Sequence, residues 1–378
     1  MTLTGITWDH PRGYAPLIAS SKQYSALTGI TVQWEKRSLT HFGDQSLESL
    51  AHRFDLLIID HPHIGVAKET GCLLPLDELL GEKKLDELKQ DTAGPSFASY
   101  RYNNLQWAIP VDAAVQCSAG RPDLMENLKT PATWDEVFAL AELLKRKKLK
   151  VGMALCPTDC LCSFLTLTAQ LGSPIREGSE ILVDKETGTR ALEMMRQMRD
   201  CFHTNCLHWN PIQLYDHMSE QDDVAYSPLG FGYTNYSRKG FRKNLLTFGV
   251  APGIAHAVLG GAGVAVSSHS NHPAEAAQYA AWIAGPDIQS SLYVEEQGQP
   301  SSIMAWKSNH ANSLTHHFFT NVLDSLNQAY VRPRYSGWPS FQTWLGETVH
   351  KYLKDNSDPL AIIELIQAEY RKSYHTHR

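Results

Sequence analysis

The chain has 378 residues, of which 43% are hydrophobic and 20% are charged, and its formal net charge is −6 at pH 7. This composition is ordinary for a soluble protein, and the length exceeds that of one average domain, so we expect two domains with sizeable cores. Lysine and arginine cluster only at 145–150, at the end of a predicted helix. Such a run is typical of a solvated helix end, so nucleic acid is not an expected partner.

Two features of the sequence, its N-terminus and its cysteines, indicate in which cellular compartment the protein is expected. No stretch approaches about 18 consecutive apolar residues, and the first residues lack the basic and apolar segments of a secretory signal. We therefore expect a soluble chain without a leader. The seven cysteines match no paired zinc motif. Their spacing leaves open free thiols in a reducing compartment, one disulfide, or a metal.

Strand and helix signals alternate from the start of the chain. The pattern predicts a strand at Ile6–Trp8, a helix at Tyr14–Leu27, a strand at 29–34, a helix at Asp44–Arg53 with Asp44 as its cap, and a strand at 55–60. Continuous apolar runs are typical of parallel strands that helices cover on both faces. The pattern therefore predicts an α/β fold.

The second part of the chain continues in the same way. After an extended segment at 107–116, we predict helices at 133–148, 158–171 and 187–202 and strands at 150–155 and 223–227. A loop at 228–237, rich in Gly and Tyr, either cradles a ligand or packs its rings on the core. The glycines at 260–263 precede a strand and no G-K-[ST] follows, so they predict a tight turn with a close backbone approach and not a phosphate loop.

Polar residues follow two of the predicted strands. In open α/β sheets, ligands bind beyond the carboxyl ends of the strands. We therefore expect ligand contacts from the residues at these two ends and from positions on the crossing segment and the later loops. The predicted ligand-binding residues are Trp8, Asp9, His10, Arg12, Asp60, His61, His63, Asp112, Gln116, Tyr226, Tyr233 and Gly261.

Several of these residues have structural alternatives. Trp8 stacks on a ligand or belongs to the core. Asp9 and Arg12 contact hydroxyls or a carboxylate, or they pair with each other. The Asp-His-Pro-His pattern at 60–63 offers metal ligands, ligand contacts or a helix cap, and Pro62 between the histidines argues against a metal. No metal or cofactor is expected.

Catalytic signatures are missing from the sequence. We find no G-x-S-x-G, H-E-x-x-H, G-x-G-x-x-G or Walker motif. A binding protein without catalytic residues is therefore the leading hypothesis. The alternative is a cytoplasmic enzyme or ligand sensor that uses the same fold.

Six segments in order resemble one family. They are "KQYSALTGITVQWEK", "FDLLIIDHPHIGVAKETGCLLPLDELL", "LQWAIPVD", "PATWDEVFALAELLK", the stretch from "LGGAGVAV" to "EEQGQPSS", and "SDPLAIIELIQAEYRK". Together they resemble the sugar-type, maltose-binding-like extracellular solute-binding proteins of ABC transporters. The resemblance implies a type II periplasmic-binding-protein fold with two α/β lobes around a ligand cleft.

The resemblance also implies an organisation and a function. Lobe 1 would comprise 1–109 and 254–305, and lobe 2 would comprise 113–250 and 310–378, with hinge crossings near 107–113, 249–254 and 305–310. The protein would be a monomer that captures a carbohydrate or carbohydrate-derived acid and delivers it to permease subunits of an ABC transporter. It would be periplasmic or otherwise extracytoplasmic, or cytoplasmic if Met1 is the native start.

Overall fold

The computed structural model describes residues 1–253, 255–355 and 357–377. The chain forms two units, each built from several segments. Unit 1 comprises 1–114, 260–319 and 334–339, and unit 2 comprises 115–259, 320–333 and 340–378. Two boundaries differ from the predicted lobes. Residues up to 259 belong to unit 2, whereas lobe 1 was predicted to begin again at 254. Residues 310–319 belong to unit 1, whereas they were predicted to belong to lobe 2. Ile254, at the end of the predicted second crossing, lies outside the described residues.

The elements as far as the first crossing from unit 1 to unit 2 are β1 (Thr2–Trp8), α1 (Pro11–Thr28), β2 (Thr31–Arg37), α2 (Leu39–Asp44), α3 (Leu47–Ala51), β3 (Leu56–Ile59), α4 (Ile64–Thr70), β4 (Leu73–Leu74), α5 (Asp77–Gln90), α6 (Ser96–Ser99), β5 (Arg101–Tyr102), β6 (Leu105–Gln106) and β7 (Ile109–Gly120). A short 3-10 helix, His61–His63, follows β3. Strand β7 carries the chain from one unit into the other.

The elements of unit 2 before the chain returns are α7 (Trp134–Arg146), β8 (Lys150–Val151), α8 (Pro157–Gln170), α9 (Lys185–Cys201), α10 (Pro211–Glu220), β9 (Val224–Phe231) and β10 (Thr247–Gly249). Strand β11 (Leu259–Ser267) then brings the chain back into unit 1. The remaining helices are α11 (Pro273–Ile283), α12 (Pro286–Ile288), α13 (Ile303–Lys307), α14 (Asn309–Leu314), α15 (Phe318–Asn327), α16 (Trp338–Lys354) and α17 (Pro359–Thr376). Among the described residues, no helix is both long and apolar enough to span a membrane.

The sheet of unit 1 has the strand order β2-β1-β3-β11. Strands β1, β2 and β3 are parallel, whereas β11 runs antiparallel to β3. The parallel arrangement predicted for the first three strands is therefore confirmed, and β11, which returns from unit 2, adds an antiparallel strand. In unit 2, β9 is antiparallel to β7 and parallel to β8, and β10 pairs with β7.

Strand β3 confirms the prediction of a strand buried on both faces. Leu56 and Ile58 belong to one hydrophobic cluster, and Leu57 and Ile59 belong to the other. All are at most 2% exposed. Because successive side chains of a strand point to opposite faces, the continuous apolar run supplies two cores at once.

Helix α1 begins earlier than its apolar pattern predicts. Pro11 occupies the first turn, where its fixed φ is compatible with a helix and its missing N–H costs nothing. His10 caps the helix, since its Nδ1 accepts the N–H of Arg12 at 3.1 Å. Gly29, with φ of 75°, ends it. The early start fixes Arg12 within a helical turn that directly follows β1.

The predicted helix at Asp44–Arg53 is also wrong in its boundaries. Asp44 is the last residue of α2, and the helix that follows it, α3, spans only Leu47–Ala51. Ser46 caps α3 in place of the predicted Asp44, because its side chain accepts the N–H of Ser49.

Candidate functional site

The carboxyl ends of three strands meet at one edge of unit 1. Trp8, the last residue of β1, pairs with Arg37, the last residue of β2. Ile59 at the end of β3 pairs with Gly263, near the beginning of β11. The residues that follow β1 and β3 therefore lie at one edge, as the strand-end argument predicts.

Trp8 packs into the core of unit 1. The residue is 5% exposed, and its ring lies 5.3 Å from the ring of Phe42. A Cβ on Gly13 would come within 2.3 Å of the indole, so this glycine leaves the space that the ring occupies. This packing favours the alternative of a core tryptophan, and a ligand contact by Trp8 stays a prediction. Its indole Nε1 is buried and has no hydrogen-bond partner among the described residues.

Asp9 is the exposed acid of the first polar cluster. Its side chain is 59% exposed and lies 2.7 Å from the ammonium of Lys36. Its backbone N–H donates to the carbonyl of Arg37, which fixes the turn after β1. The alternative of an Asp9–Arg12 pair is wrong, because each residue pairs with another partner.

Arg12 and Asp112 form a buried bidentate pair. Nε of Arg12 donates to Oδ2 of Asp112 at 2.7 Å, and Nη2 donates to Oδ1 at 2.5 Å. The side chains are 4% and 0% exposed. Burial raises the pKa of Asp112, and the charge and hydrogen bonds of Arg12 oppose that rise. The pair fixes the guanidinium beside β7, close to where the chain leaves unit 1.

Gly261 lies against the same position of β7. Its φ is 111°, and a Cβ there would be 2.3 Å from the carbonyl oxygen of Asp112. Only glycine combines that φ with so close an approach of two backbones. The glycine-rich stretch therefore serves a close backbone approach, as predicted, and any ligand contact by Gly261 stays a prediction.

The second polar cluster caps the turn that follows β3. Asp60 accepts the N–H of His61 at 2.9 Å, and its side chain is 16% exposed. His61 is buried beside Tyr100, with ring centroids 6.2 Å apart. Nε2 of His63 lies 3.2 Å from the carbonyl oxygen of Gly43. Asp60 thus takes the capping role and keeps part of its carboxylate accessible.

Gln116 lies in the part of β7 that belongs to unit 2. It pairs with Phe231, the last residue of β9. Its Oε1 accepts a hydrogen bond from Thr166 at 2.6 Å, and the Thr166 hydroxyl accepts the N–H of Val258 at 3.0 Å. Gln116 is 1% exposed, so its amide is held in a buried network that ties β7 to α8.

The two predicted tyrosines lie at different ends of β9. Tyr233 follows the carboxyl end and is 6% exposed. Tyr226 pairs with Gly120 near the amino end and is 1% exposed. At about 3.3 Å per residue, Tyr226 is about 16 Å from Phe231. Its position does not favour a shared site with Gln116 and Tyr233.

The start of α8 lies after β8 in unit 2, and we did not predict it as a site. Cys156 caps the helix and its thiol donates to Asp159 at 3.1 Å. Burial raises the pKa of Asp159 to about 7. In the sequence, Cys156 and Pro157 follow the predicted strand at 150–155, and a proline in this place is a signal for the first turn of a helix. None of the seven cysteines forms a disulfide.

A set of residues that could hold a metal ion lies elsewhere in unit 2. It consists of His203, His217 and Asp223, whose ligand atoms all lie within 4.8 Å of one another. The sequence analysis does not identify this set, because the spacing of its members matches no metal motif.

Comparison with known proteins gives a consistent result. A family model of bacterial extracellular solute-binding proteins matches residues 19–302. A solute-binding protein of an ABC transporter from Agrobacterium radiobacter K84, in complex with ribitol, is 18% identical, with a TM-score of 0.83 and 98% of each chain covered. Maltose-bound MalE3 of T. maritima is 16% identical, with a TM-score of 0.82 over 98% of this chain and 99% of that one.

A third solved structure is similar to the chain over nearly its whole length. The ABC-transporter solute-binding protein from Thermotoga lettingae TMO, bound with alpha-D-tagatose, is 17% identical, with a TM-score of 0.82 and 99% of each chain covered. At these identities the likeness shows the fold, which is α/β and periplasmic-binding-protein-like. No curated protein matches the chain.

Proposed function

Because the chain belongs to the family of bacterial extracellular solute-binding proteins, we propose that it captures a neutral sugar or polyol for uptake through an ABC transporter. The observation that carries the proposal is the likeness, over nearly the whole chain, to proteins whose structures hold ribitol, maltose and tagatose. The family implies a non-catalytic protein outside the cytoplasm, with a small molecule as its ligand and transporter subunits as its partners.

The ionised groups of unit 1 support a neutral ligand. Arg12 is the side chain best suited to a ligand carboxylate, but both its Nε and its Nη2 donate to Asp112. The accessible groups at the strand ends include the carboxylate of Asp60 and that of Asp9, whose charge balances that of Lys36 at 2.7 Å. Carboxylates accept hydrogen bonds from hydroxyl groups and repel an anionic ligand.

In unit 2, an aromatic and an amide side chain lie near the carboxyl end of β9. Tyr233 follows the end of β9, where Phe231 pairs with Gln116 of β7. Aromatic rings pack on the apolar faces of sugars, while acids and amides bind the hydroxyls. We propose that Asp9 and Asp60 in unit 1 and Gln116 and Tyr233 in unit 2 contact the ligand, and that the Arg12–Asp112 pair rigidly supports the residues of unit 1.

A panel of ligands tests the proposed function. We expect at least one neutral pentitol, hexitol, hexose or maltooligosaccharide to raise the melting temperature, and gluconate and galacturonate not to do so. A ligand that binds only the folded state at 100 times its Kd stabilises that state by about 2.7 kcal/mol. The proposal fails if no neutral member of the panel stabilises the protein, or if only the acids do.

Two variants then locate the site. Asp9→Ala and Tyr233→Ala should each weaken binding of the stabilising ligand by about tenfold or more, which corresponds to about 1.4 kcal/mol. Glu35→Ala is the matched control, because Glu35 also forms an exposed ion pair in unit 1, with Arg53 at 3.4 Å. Calorimetric titration measures all three. Wild-type affinity in both site variants would place the ligand elsewhere.

A further inference from the structure

Two imidazoles and one carboxylate converge in unit 2, away from the strand ends discussed above. His203 follows α9, His217 lies on α10, and Asp223 directly precedes β9. At about 3.3 Å per residue, Asp223 is about 26 Å from Phe231, at the other end of that strand. The cluster is therefore independent of the proposed sugar site, and its test does not depend on that function.

The distances suit a shared metal ion. Nε2 of His203 lies 3.1 Å from Oδ2 of Asp223, and Nε2 of His217 lies 2.7 Å from Oδ1. Ligand atoms about 2.1 Å from one tetrahedral zinc ion are about 3.4 Å apart. A small outward movement of the three side chains therefore makes room for the ion.

Trp209 holds the two rings in place. Its ring centroid is 4.7 Å from that of His203, at an interplanar angle of 17°, and 4.7 Å from that of His217, at 41°. His203 is buried, while the side chain of Asp223 is 43% exposed. One wall of the cluster is thus rigid and dry, and the opposite side is open to solvent.

We propose that His203, His217 and Asp223 bind one divalent transition-metal ion of the zinc class. The ligands are the two Nε2 atoms and a carboxylate oxygen of Asp223, and water fills the open position. When Nε2 of His203 binds the ion, the ring proton moves to Nδ1, which now accepts the N–H of Asn205 at 3.1 Å. Asn205 is exposed, so a water molecule then accepts the hydrogen bond from its backbone N–H.

Two cations lie near the cluster. The charge of Lys150 acts against a positive charge on His203, but Lys150 is exposed, so solvent screens it. The second cation is the buried guanidinium of Arg121, which contacts Asp222, the residue before Asp223. It is paired with Asp222 at 2.8 Å and with Asp123 at 2.7 Å. Two carboxylates therefore neutralise this cation, and Asp223 remains available to the metal.

Calorimetric titration of the metal-free, tag-free full chain with zinc chloride tests the site. We expect one zinc ion per chain with a micromolar or lower Kd, and at least a tenfold loss of affinity in both His217→Asn and Asp223→Asn. Asp223→Asn is isosteric, and His217→Asn shortens a partly exposed side chain, so the circular dichroism and melting temperature of both variants should stay close to those of wild type. His203 is left unchanged because it is buried.

Two controls exclude other zinc ligands. His310→Asn removes an exposed imidazole that has a single carboxylate partner, Glu295 at 3.0 Å, and should bind zinc like wild type. Cys201→Ser removes the exposed thiol and should also retain binding. The proposal is overturned if the wild type takes up no zinc at millimolar concentration, if His217→Asn and Asp223→Asn both retain binding, or if Cys201→Ser abolishes it.

Discussion

Replacing Arg12 with methionine is expected to lower the free energy of unfolding by about 3–5 kcal/mol at pH 7. The substitution keeps most of the side-chain volume but removes the bidentate partner of Asp112, whose carboxylate is 0% exposed. An unpaired charge in that position must either stay ionised in a poorly solvating environment or take up a proton. Denaturant unfolding followed by circular dichroism measures the loss.

The pH dependence of the Arg12→Met variant has a defined sign. Burial raises the pKa of Asp112, and without Arg12 nothing of comparable strength opposes that rise. In the variant, the folded state then binds a proton at Asp112 more tightly than the unfolded state does. Protonation of Asp112 therefore stabilises the folded variant at low pH, and this stabilisation is lost as the pH rises. The difference in the free energy of unfolding between wild type and Arg12→Met should therefore become smaller as the pH is lowered from 7 to 5.

Two further variants separate the charge from the packing. Arg12→Met combined with Asp112→Asn removes the buried charge and should be more stable than Arg12→Met alone. Arg53→Met breaks an exposed pair with Glu35, whose side chains are 62% and 64% exposed, and should cost about 0.5 kcal/mol or less. An Arg12→Met variant as stable as Arg53→Met would show that the buried pair contributes little.

Replacing Trp8 with alanine is expected to cost about 3–5 kcal/mol of stability, the range for truncation of a large core aromatic residue. The reason is its burial against Phe42 and Gly13. Gly13→Ala should also destabilise, by about 1–3 kcal/mol, because its Cβ would overlap the indole. Gly43→Ala is the control, since a Cβ there meets nothing within 4 Å.

Binding measurements decide whether Trp8 has a second role. If Trp8→Phe is stable and binds the ligand like wild type, the ring serves the core. If Trp8→Ala unfolds like wild type and only its ligand affinity falls, the packing argument is wrong and the ring stacks on the ligand.

Local patterns predicted much of the fold. The apolar run of β3 predicted a strand buried on both faces, and Pro11 and Gly29 are recognisable start and stop signals for α1. The strand-end argument placed Trp8 and Asp60 at one edge of a sheet. These features depend on neighbours close in sequence or on a general rule of α/β sheets.

The orientation of Trp8 shows where such patterns fail. Strand alternation puts Trp8 on the same face as Ile6, yet Ile6 and Trp8 belong to different hydrophobic clusters. The strand ends at Trp8, so the pleat no longer constrains the side chain, and the space above Gly13 accepts the ring. A single sequence does not reveal that space.

Contacts between distant residues were not predictable either. Arg12 and Asp112 are 100 positions apart, and the pattern allowed Arg12 to pair with Asp9 instead. His203 lies after α9, His217 lies on α10 and Asp223 lies before β9, and the two imidazole rings both pack against Trp209. Such clusters depend on how elements pack, and hydrophobic periodicity carries no information about that.

The most direct test of the central claim is native mass spectrometry of the protein purified without refolding, before and after incubation with neutral sugars and polyols. We expect one neutral sugar or polyol per chain, either copurified or taken up from the panel, and displaced as the collision energy rises. A protein that carries no such ligand and acquires none, or that binds only sugar acids, would contradict the account.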